Sequence, residues 1–297
     1  MKAQENEKWV NRIGKLDVIL SIVAGLIEIG LFLSYIKDAV TIETAIISGL
    51  VVAAAFCVQS YIRNRKILRS YKAEQYLSKY FPAIVAFLKA MQSLPKEFRA
   101  DEQILYNVMT VTCEIDGSNA TYTRRTIGQN VSNKDIERMV YRVCGETSIE
   151  NGRVQPKVFR NLEGHEKEKL EPVVLWSTSN VKVIGVDLNP AIKPITGKID
   201  ITFSAKWLGA FVSKYGYVFV SLFNYVRGVE RLVVNVRFKE KVSRCSVWTW
   251  DMKKHELKEL ERLKNPKPDN DKYTIRWQQA RPETSKIYIF RFRRSSI

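Results

Sequence analysis

Residues 231–239 read RLVVNVRFK, and this stretch decides the fold class because apolar side chains recur at every second position. The apolar set runs from Leu232 to Phe238, and basic or amide residues such as Arg237 lie between its members. Alternation of period two is typical of a β-strand with one face against a hydrophobic core and the other in water. The stretch therefore predicts a half-buried strand, which needs neighbouring strands to form a sheet.

The same alternation, or a short apolar run, recurs on both sides of this stretch. Asp116 followed by Gly117 is a strong turn signal between two of these segments. Residues 133–143, with apolar spacings of three and four, and the charged residues 256–263 predict short helices instead. Beyond residue 101 the chain thus predicts a mainly-β (α+β) domain, folded as an antiparallel sandwich or barrel. The other predicted strands are 104–115, 120–127, 172–176, 181–188, 198–203, 217–225, 244–250, 273–277 and 286–294.

Two long apolar runs precede this domain. Residues 16–36 read LDVILSIVAGLIEIGLFLSYI, and residues 45–62 read AIISGLVVAAAFCVQSYI. Each is long enough, at about 1.5 Å per helical residue, to cross the hydrocarbon core of a bilayer. Residues 37–44 form so short a loop that the two helices must be antiparallel neighbours. A cleaved signal peptide is disfavoured because the first run is too long and a second follows at once.

The chain is therefore predicted to have three parts. Residues 1–62 hold an N-terminal segment and a two-helix transmembrane hairpin, and residues 63–100 form a helical connector that Pro82 interrupts. The connector is either a stalk followed by a core helix or a basic helix on the membrane surface. Residues 101–297 form the basic β-rich domain, which we expect to face the cytoplasm.

Charged residues flanking the hairpin predict its orientation. Basic residues precede the first run and follow the second, whereas the loop carries Lys37 against Asp38 and Glu43. The positive-inside rule therefore predicts a two-pass protein of a bacterial inner membrane with both termini in the cytoplasm. Residues 1–62 hold five Lys/Arg and six Asp/Glu, so residues 63–297 hold 48 − 5 = 43 basic and 31 − 6 = 25 acidic residues, or +18. Such a domain attracts nucleotides, nucleic acid or anionic lipid headgroups.

Glu28 is the one ionisable residue near the middle of the first run. It is either protonated or hydrogen-bonded to Ser48 or Gln59 of the second run, or it faces water in a pore. We favour the pore because ionisable groups within membranes are usually functional. Ser21 lies among small residues on the same predicted helix face and completes the set of intramembrane polar residues. One hairpin cannot enclose a channel, so a pore requires a homo-oligomer.

The chemistry-bearing residues favour binding over catalysis. No GxSxG, P-loop, dinucleotide-binding or HExxH motif occurs, and the four cysteines are too scattered to predict a metal site or a disulfide framework. We therefore expect no enzyme activity, no cofactor and no metal. Basic and aromatic residues instead alternate in several segments, where cations can bind phosphates and rings can stack on bases, unless they are a sheet core with a solvated face. The predicted ligand-binding residues are Arg124, Arg125, Lys206, Trp207, Arg276 and Trp277.

This layout of a membrane hairpin over residues 16–62 and a basic, strand-rich domain resembles the two-transmembrane, β-strand-rich membrane effectors of bacterial anti-phage defence. In the CBASS-type and Hailong-type systems, a partner nucleotidyltransferase makes a cyclic nucleotide or a single-stranded oligonucleotide that the effector binds. The resemblance implies an oligomeric ion channel, with a tetramer as one option, that disrupts the membrane in abortive infection. The strong positive charge favours the oligonucleotide and the Hailong-type effector. The resemblance assigns no individual residue.

Two other classes of function stay open. A membrane-tethered adaptor, whose β-sandwich binds another protein without channel activity, fits the same layout. A membrane-bound enzyme has the least support, because the chain carries no recognisable catalytic set.

Overall fold

The computed structural model describes residue 25 and residues 42–94, 104–145, 154–161, 167–195, 197–211, 215–222, 225, 227–264, 266, 268–269 and 272–294. The chain divides into two compact units, Met1–Glu74 and Gln75–Ile297. The predicted hairpin falls in the first unit and the predicted β domain in the second.

The first unit contains most of the long helix α1, Ile42–Tyr80, whose last six residues belong to the second unit. This helix includes the predicted span 45–62 and continues without a break into the predicted connector. Gly25 is helical and buried, and a Cβ atom added to it would lie 3.6 Å from the Phe56 ring. Residues 25 and 56 are equally far along the chain from the centre of the predicted loop 37–44, as an antiparallel hairpin requires. The rest of the predicted span 16–36 lies outside the described residues.

Among the helices that the structure describes, none is both long enough and apolar enough to cross a bilayer.

The second unit begins with a short amphipathic helix, α2, Pro82–Ser93. Proline suits the first turn of a helix because the amide it lacks would have no helical partner there. One face of α2 is buried, and this agrees with the predicted core helix rather than with a helix on the membrane surface. The buried residues are Ala83, Ile84, Phe87, Ala90 and Met91.

The remaining described elements of the second unit are strands, which confirms the mainly-β prediction. Their bounds are β1 Ile104–Asp116, β2 Asn119–Asn130, β3 Ile136–Cys144, β4 Val154–Arg160, β5 Glu168–Leu170, β6 Pro172–Ser177, β7 Val181–Ile192, β8 Lys198–Trp207, β9 Tyr215–Ser221, β10 Val229–Phe238, β11 Val242–Asp251, β12 Glu256–Arg262, β13 Pro268–Asp269, β14 Lys272–Ala280 and β15 Lys286–Arg294. The stretch 231–239 falls in β10, near the middle of the largest sheet.

The strands form three sheets. An eight-stranded sheet has the order β13-β14-β10-β1-β2-β8-β4-β5, a four-stranded sheet the order β12-β11-β15-β9, and a three-stranded sheet the order β3-β7-β6. Among the strands that the structure describes, all pairs are antiparallel except β1 with β10, which is parallel. The prediction of a purely antiparallel domain is therefore wrong at this pair. A parallel pair needs a long crossover, and more than 100 residues separate β1 from β10 along the chain.

Both smaller sheets pack on the same face of the eight-stranded sheet. Trp277 of β14 contacts Phe290 of the four-stranded sheet at a ring-centroid distance of 5.4 Å. Phe203 of β8 stacks on Tyr141 of the three-stranded sheet at 4.5 Å. Trp277 and Phe203 lie in one cross-strand row of the large sheet and thus point to the same side. The result is a layered core with the edge strands β9 and β3 above the middle of the large sheet.

Two helix predictions are wrong. Residues 133–143 form most of β3, in which Met139, Tyr141 and Val143 are buried at alternate positions. Residues 256–263 form β12, which pairs with β11 and alternates between exposed and half-buried side chains. In both segments cross-strand pairing outweighs a local sequence pattern that favours a helix.

Candidate functional site

The charged side chain of Arg124 lies in the middle of the buried face of the eight-stranded sheet. One row across six strands consists of Trp277, Val234, Val111, Arg124, Phe203 and Val158. Five of these residues are apolar, and Arg124 is only 9% exposed. Burying an ionised group costs several kcal/mol unless the surroundings compensate for it. A functional role would account for the arginine at this position.

Aromatic rings, rather than carboxylates, surround the Arg124 guanidinium. Its Cζ atom lies 4.6 Å from the ring centroid of Tyr141 and 5.8 Å from that of Tyr225. Nη1 donates a hydrogen bond to the Tyr225 hydroxyl. Cation–π contacts of this kind stabilise a desolvated cation. No carboxylate within the described part of the chain forms an ion pair with Arg124, so its positive charge is not neutralised by the protein there.

The Arg124 guanidinium stays charged despite its burial. Burial lowers the pKa of Arg124, but the phenol groups of Tyr225, Tyr122 and Tyr141 outweigh it and keep this pKa above its ordinary value. Burial in turn raises the pKa of Tyr122 to about 12, although the charge of Arg124 opposes that rise. The site therefore combines a permanent cation with a Tyr122 phenol that stays neutral at physiological pH.

Arg124 lines a cavity of about 120 Å³ between β1 and β2 of the large sheet and the two edge strands. The buried polar atoms of its lining that have no hydrogen-bond partner include Nε of Arg124, Nε1 of Trp207 and Oγ of Ser221. Two are obligate donors and the third can donate, which suits a ligand rich in acceptor atoms, such as an oxyanion. Aromatic side chains supply much of the remaining wall, from Tyr122, Phe211, Tyr217, Phe219 and Tyr225. Within the described ranges, no three His, Cys, Asp or Glu side chains are grouped as a metal site would require.

Helix α2 forms one side of this cavity through the main chain of Ala83. The amide of Ala83 donates a 2.8 Å hydrogen bond to the Tyr217 hydroxyl on β9. The Cys144 thiol on β3 lies 3.2 Å from the Ala83 carbonyl oxygen, to which it donates. Burial raises the pKa of Cys144 to about 12, so the thiol keeps the proton that this bond needs. One residue of α2 thus connects the edge strands of both smaller sheets.

The structure brings two of the six predicted ligand-binding residues together. Arg124 and Trp207 both line the cavity, whereas Arg125 points to the opposite face of the sheet and pairs with Asp200. Lys206 lines a separate surface pocket beside the β1–β2 turn. Arg276 is exposed on β14. Trp277 is only 6% exposed and packs against two rings of β15, so no base can stack on it without rearrangement of the core.

The predicted intramembrane residues are described only in part. Ser21 and Glu28 lie outside the described residues. Ser48 is in α1, and its side chain is likewise outside them. Gln59 is exposed on α1. The pore assignment of these four residues stays a prediction.

Sequence reasoning missed Tyr141, Ser221 and Tyr225. Tyr141 was hidden by the helix predicted over 133–143, although alternation in MVYRV would have placed it on an inward face. A further signal was available in β2, where Tyr122, Arg124 and Thr126 alternate as polar residues on the inward face of a central strand. A polar inward face between apolar strands marks a site, because core positions are otherwise hydrophobic.

No protein-family model and no curated protein matches this chain. Similar solved structures include the M1 zinc metallopeptidase of Deinococcus radiodurans, at 8% identity and a TM-score of 0.36, covering 64% of this chain and 42% of that one. A mutant of that enzyme bound to a Tyr-Ser-Ala substrate gives 10% identity and a TM-score of 0.36, with 64% and 43% covered. The chain thus spans less than half the length of these enzymes. Function has to be inferred from the site itself.

Proposed function

We propose that this protein is an oligomeric membrane effector whose β domain binds a nucleotide-derived ligand, with the ligand's anionic group at Arg124. The observation that carries the proposal is a buried arginine in an aromatic cavity, without a carboxylate partner among the described residues. A bound anion would supply the missing counter-charge. The proposed role is binding and signalling, with no catalytic step.

The chemistry of the cavity supports a phosphate-bearing ligand with a flat ring. Arg124, Trp207 and Ser221 present donors without partners, and phosphate offers several strong acceptors. The aromatic walls suit a nucleobase, since rings stack on aromatic side chains. The volume of about 120 Å³ is below the roughly 300 Å³ or more typical of pockets that enclose a whole ligand. The cavity would therefore hold one phosphate or one ring of a cyclic nucleotide or single-stranded oligonucleotide, the latter favoured.

The sequence and part of α1 support the membrane half of the proposal. Residues 45–62 carry no charge, and several large apolar side chains of α1 are exposed, including Val51 at 63% and Val58 at 58%. Exposed apolar surface of this kind is suited to lipid or to another subunit. We place the hairpin in a bacterial inner membrane with both termini in the cytoplasm, where an oligomer would form the pore.

Helix α2 offers a physical route for signalling. It follows directly after α1, and Ala83 hydrogen-bonds to two strands that line the cavity. A ligand that moves β9 relative to β3 would weaken one or both of these bonds. The displaced α2 would then pull on α1, which contains the predicted second span. Gating therefore requires no contact between the ligand and the hairpin.

Binding to the full-length protein in lipid nanodiscs tests the proposal. We expect cyclic nucleotides or short oligonucleotides, made by a nucleotidyltransferase, to bind with an affinity that falls as salt rises. Arg124→Met should lower the affinity at least tenfold, while the matched variant Arg125→Met should leave it unchanged. If no nucleotide or oligonucleotide binds at low salt, the proposal is refuted.

The strand β6 favours a second candidate function, the membrane-tethered adaptor. It is an edge strand without charged residues, and Val173 and Val174 are more than half exposed. Such an edge can pair with a strand of a protein partner. The adaptor predicts that a foreign membrane anchor can replace residues 1–62 and that Glu28→Ala has no effect. The channel hypothesis predicts instead that the foreign anchor and Glu28→Ala each abolish ion flux.

A further inference from the structure

A second concave surface lies on the outer face of the four-stranded sheet, which points away from the large sheet. We call it the Tyr215 groove, and its volume is about 450 Å³. Two segments rich in basic and aromatic residues, 244–250 and 289–294, meet here because β11 pairs with β15, placing Ser246 opposite Arg291. The groove is lined by Tyr215, Arg244, Cys245, Ser246, Trp248, Glu259, Arg262 and Arg291.

Two arginines of the groove region contact aromatic rings and no carboxylates. The Arg291 Cζ atom lies 5.4 Å from the ring centroid of Tyr215 and 5.5 Å from that of Tyr80. Arg293, two residues further along β15, lies 5.7 Å from Tyr215. Neither arginine forms an ion pair with any residue that the structure describes. Tyr215 is 43% exposed, so its ring is accessible to a ligand.

The groove has an excess of positive charge. Arg244, Arg262 and Arg291 line it together with a single carboxylate, Glu259, which is 3.3 Å from Arg262. Arg244 lies within the irregularity between β11 and β15 and has a φ of 51°. A positive φ is unfavourable for arginine, and such strain is often found where a side chain has to point in a particular direction.

The groove adjoins the Arg124 cavity along one strand. Tyr215 lines the groove, and Tyr217, two residues later on the same face of β9, lines the cavity. Two residues of a strand span about 7 Å, so Tyr215 and Tyr217 are close neighbours along β9. A ligand anchored in the cavity can therefore continue into the groove.

We propose that the Tyr215 groove is a second subsite, which binds the nucleotides of a single-stranded oligonucleotide that extend beyond the cavity. This inference rests on the proposed function and narrows its ligand to a strand of several nucleotides. Arg291 and Arg293 contact phosphates, and the exposed ring of Tyr215 provides a stacking surface. Stacking rings favour a nucleic acid over an acidic peptide, which would need cations alone.

A length series of oligonucleotides tests the second subsite. Thymidine monophosphate and oligothymidylates of about two to eight nucleotides are titrated into the full-length protein in nanodiscs. We expect affinity to rise at least tenfold with length, because each added nucleotide brings its own stacking and phosphate contacts. The double variant Arg291→Gln/Arg293→Gln should remove this gain and leave binding of the monophosphate within about twofold of wild type. Arg276→Gln, at an exposed arginine of β14, is the matched control and should change neither.

The outcomes separate this inference from the proposed function. If the monophosphate binds in an Arg124-dependent way but affinity does not rise with oligonucleotide length, the second subsite is refuted and the proposed function stands. Absence of binding at every length refutes both. Polyphosphate that competes as well as an oligothymidylate of equal charge refutes base stacking, and so does an acidic peptide that competes equally well. A salt dependence that falls by about one counterion per arginine removed supports phosphate contacts at Arg291 and Arg293.

Discussion

Arg124 and Arg125 are consecutive residues of β2, and their environments are opposite. Arg124 is buried among tyrosines and has no carboxylate partner among the described residues, whereas Arg125 is about half exposed and forms a two-pronged pair with Asp200. The strand produces this contrast, because successive side chains point to opposite faces of a sheet. Two identical residues thus have different surroundings: Arg125 is neutralised by a carboxylate of the protein, and Arg124 has no counter-charge among the described residues.

The comparison teaches where to look for function in a basic protein. Most charge on this domain resembles Arg125, exposed and paired or solvated, and such groups contribute little to stability or recognition individually. The informative charge is the one whose burial is costly and whose counter-charge is missing. The net charge does not distinguish these two kinds of arginine, because both count equally in it.

The largest change in stability is expected at Gly145, where the wall of the Arg124 cavity is most tightly packed. A Cβ atom on Gly145 would overlap the Trp207 ring, so Gly145→Ala must displace this wall of the cavity. We expect a loss of about 2–3 kcal/mol in the free energy of unfolding, measured by urea denaturation, together with weaker ligand binding. The control is Gly209→Ala, where a Cβ meets nothing within 4 Å and only the φ of 69° opposes the change. It should cost about 1 kcal/mol and leave binding intact. Equal losses in the two variants would contradict the packing argument.

Replacing the buried cation Arg124 is expected to raise the free energy of unfolding instead of lowering it. Arg124→Met keeps much of the side-chain volume and removes a desolvated charge, so the free energy of unfolding should rise by about 1–2 kcal/mol. Ligand binding should be lost at the same time, the pattern expected of a residue kept for function at the expense of stability. Arg125→Met should lower stability by less than about 1 kcal/mol and preserve binding. Destabilisation by Arg124→Met would show that Arg124 is structural.

Much of the β domain could be predicted from period-two patterns. The segment 286–294 coincides with β15, and most other strands were placed within a few residues. The three-sheet arrangement and the parallel β1–β10 pair could not be predicted, because pairing between strands far apart in the chain leaves no local pattern. The helices predicted over 133–143 and 256–263 failed for the same reason, since β7 and β11 supply the pairing.

The site was predictable only in part. Arg124 and Trp207 were among the predicted residues because basic and aromatic residues are adjacent in their segments. Arg125, Lys206 and Arg276 satisfied the same pattern but lie elsewhere, because the pattern does not tell which face of a strand is inward. Tyr141 and Ser221 come from strands of two other sheets, so only the packing of the sheets brings them to Arg124.

The stability of the protein at alkaline pH tests the surroundings of Arg124 separately from those of Arg125. Burial raises the pKa of Tyr122 from its ordinary value of 10.0 to about 12. Its contribution to stability is therefore complete below pH 10 and is lost as pH rises toward 12, because the unfolded phenol ionises first. Tyr122→Phe should reduce the alkaline loss in urea denaturation by an amount on the order of 1 kcal/mol. Tyr215→Phe, at an exposed tyrosine, should not alter it, and an equal effect of both variants would contradict a special environment at Tyr122.

Measurements at acidic pH test the Arg125–Asp200 pair, for which the smallest change in stability is expected. Burial raises the pKa of Asp200, but hydrogen bonds from Arg125 and Asn161 outweigh it and hold this pKa below its ordinary value of 3.8. The pair therefore stabilises the fold above that pH and ceases to do so as pH falls through the lowered pKa. Asp200→Asn should cost less than about 1 kcal/mol at neutral pH, because Arg125 is half exposed and solvent screens the pair. Urea denaturation should show the difference from wild type disappearing as pH falls through this lowered pKa. A difference that persists in acid would mean that Asp200 acts through packing rather than charge, and the contrast between the two arginines would then rest on Arg124 alone.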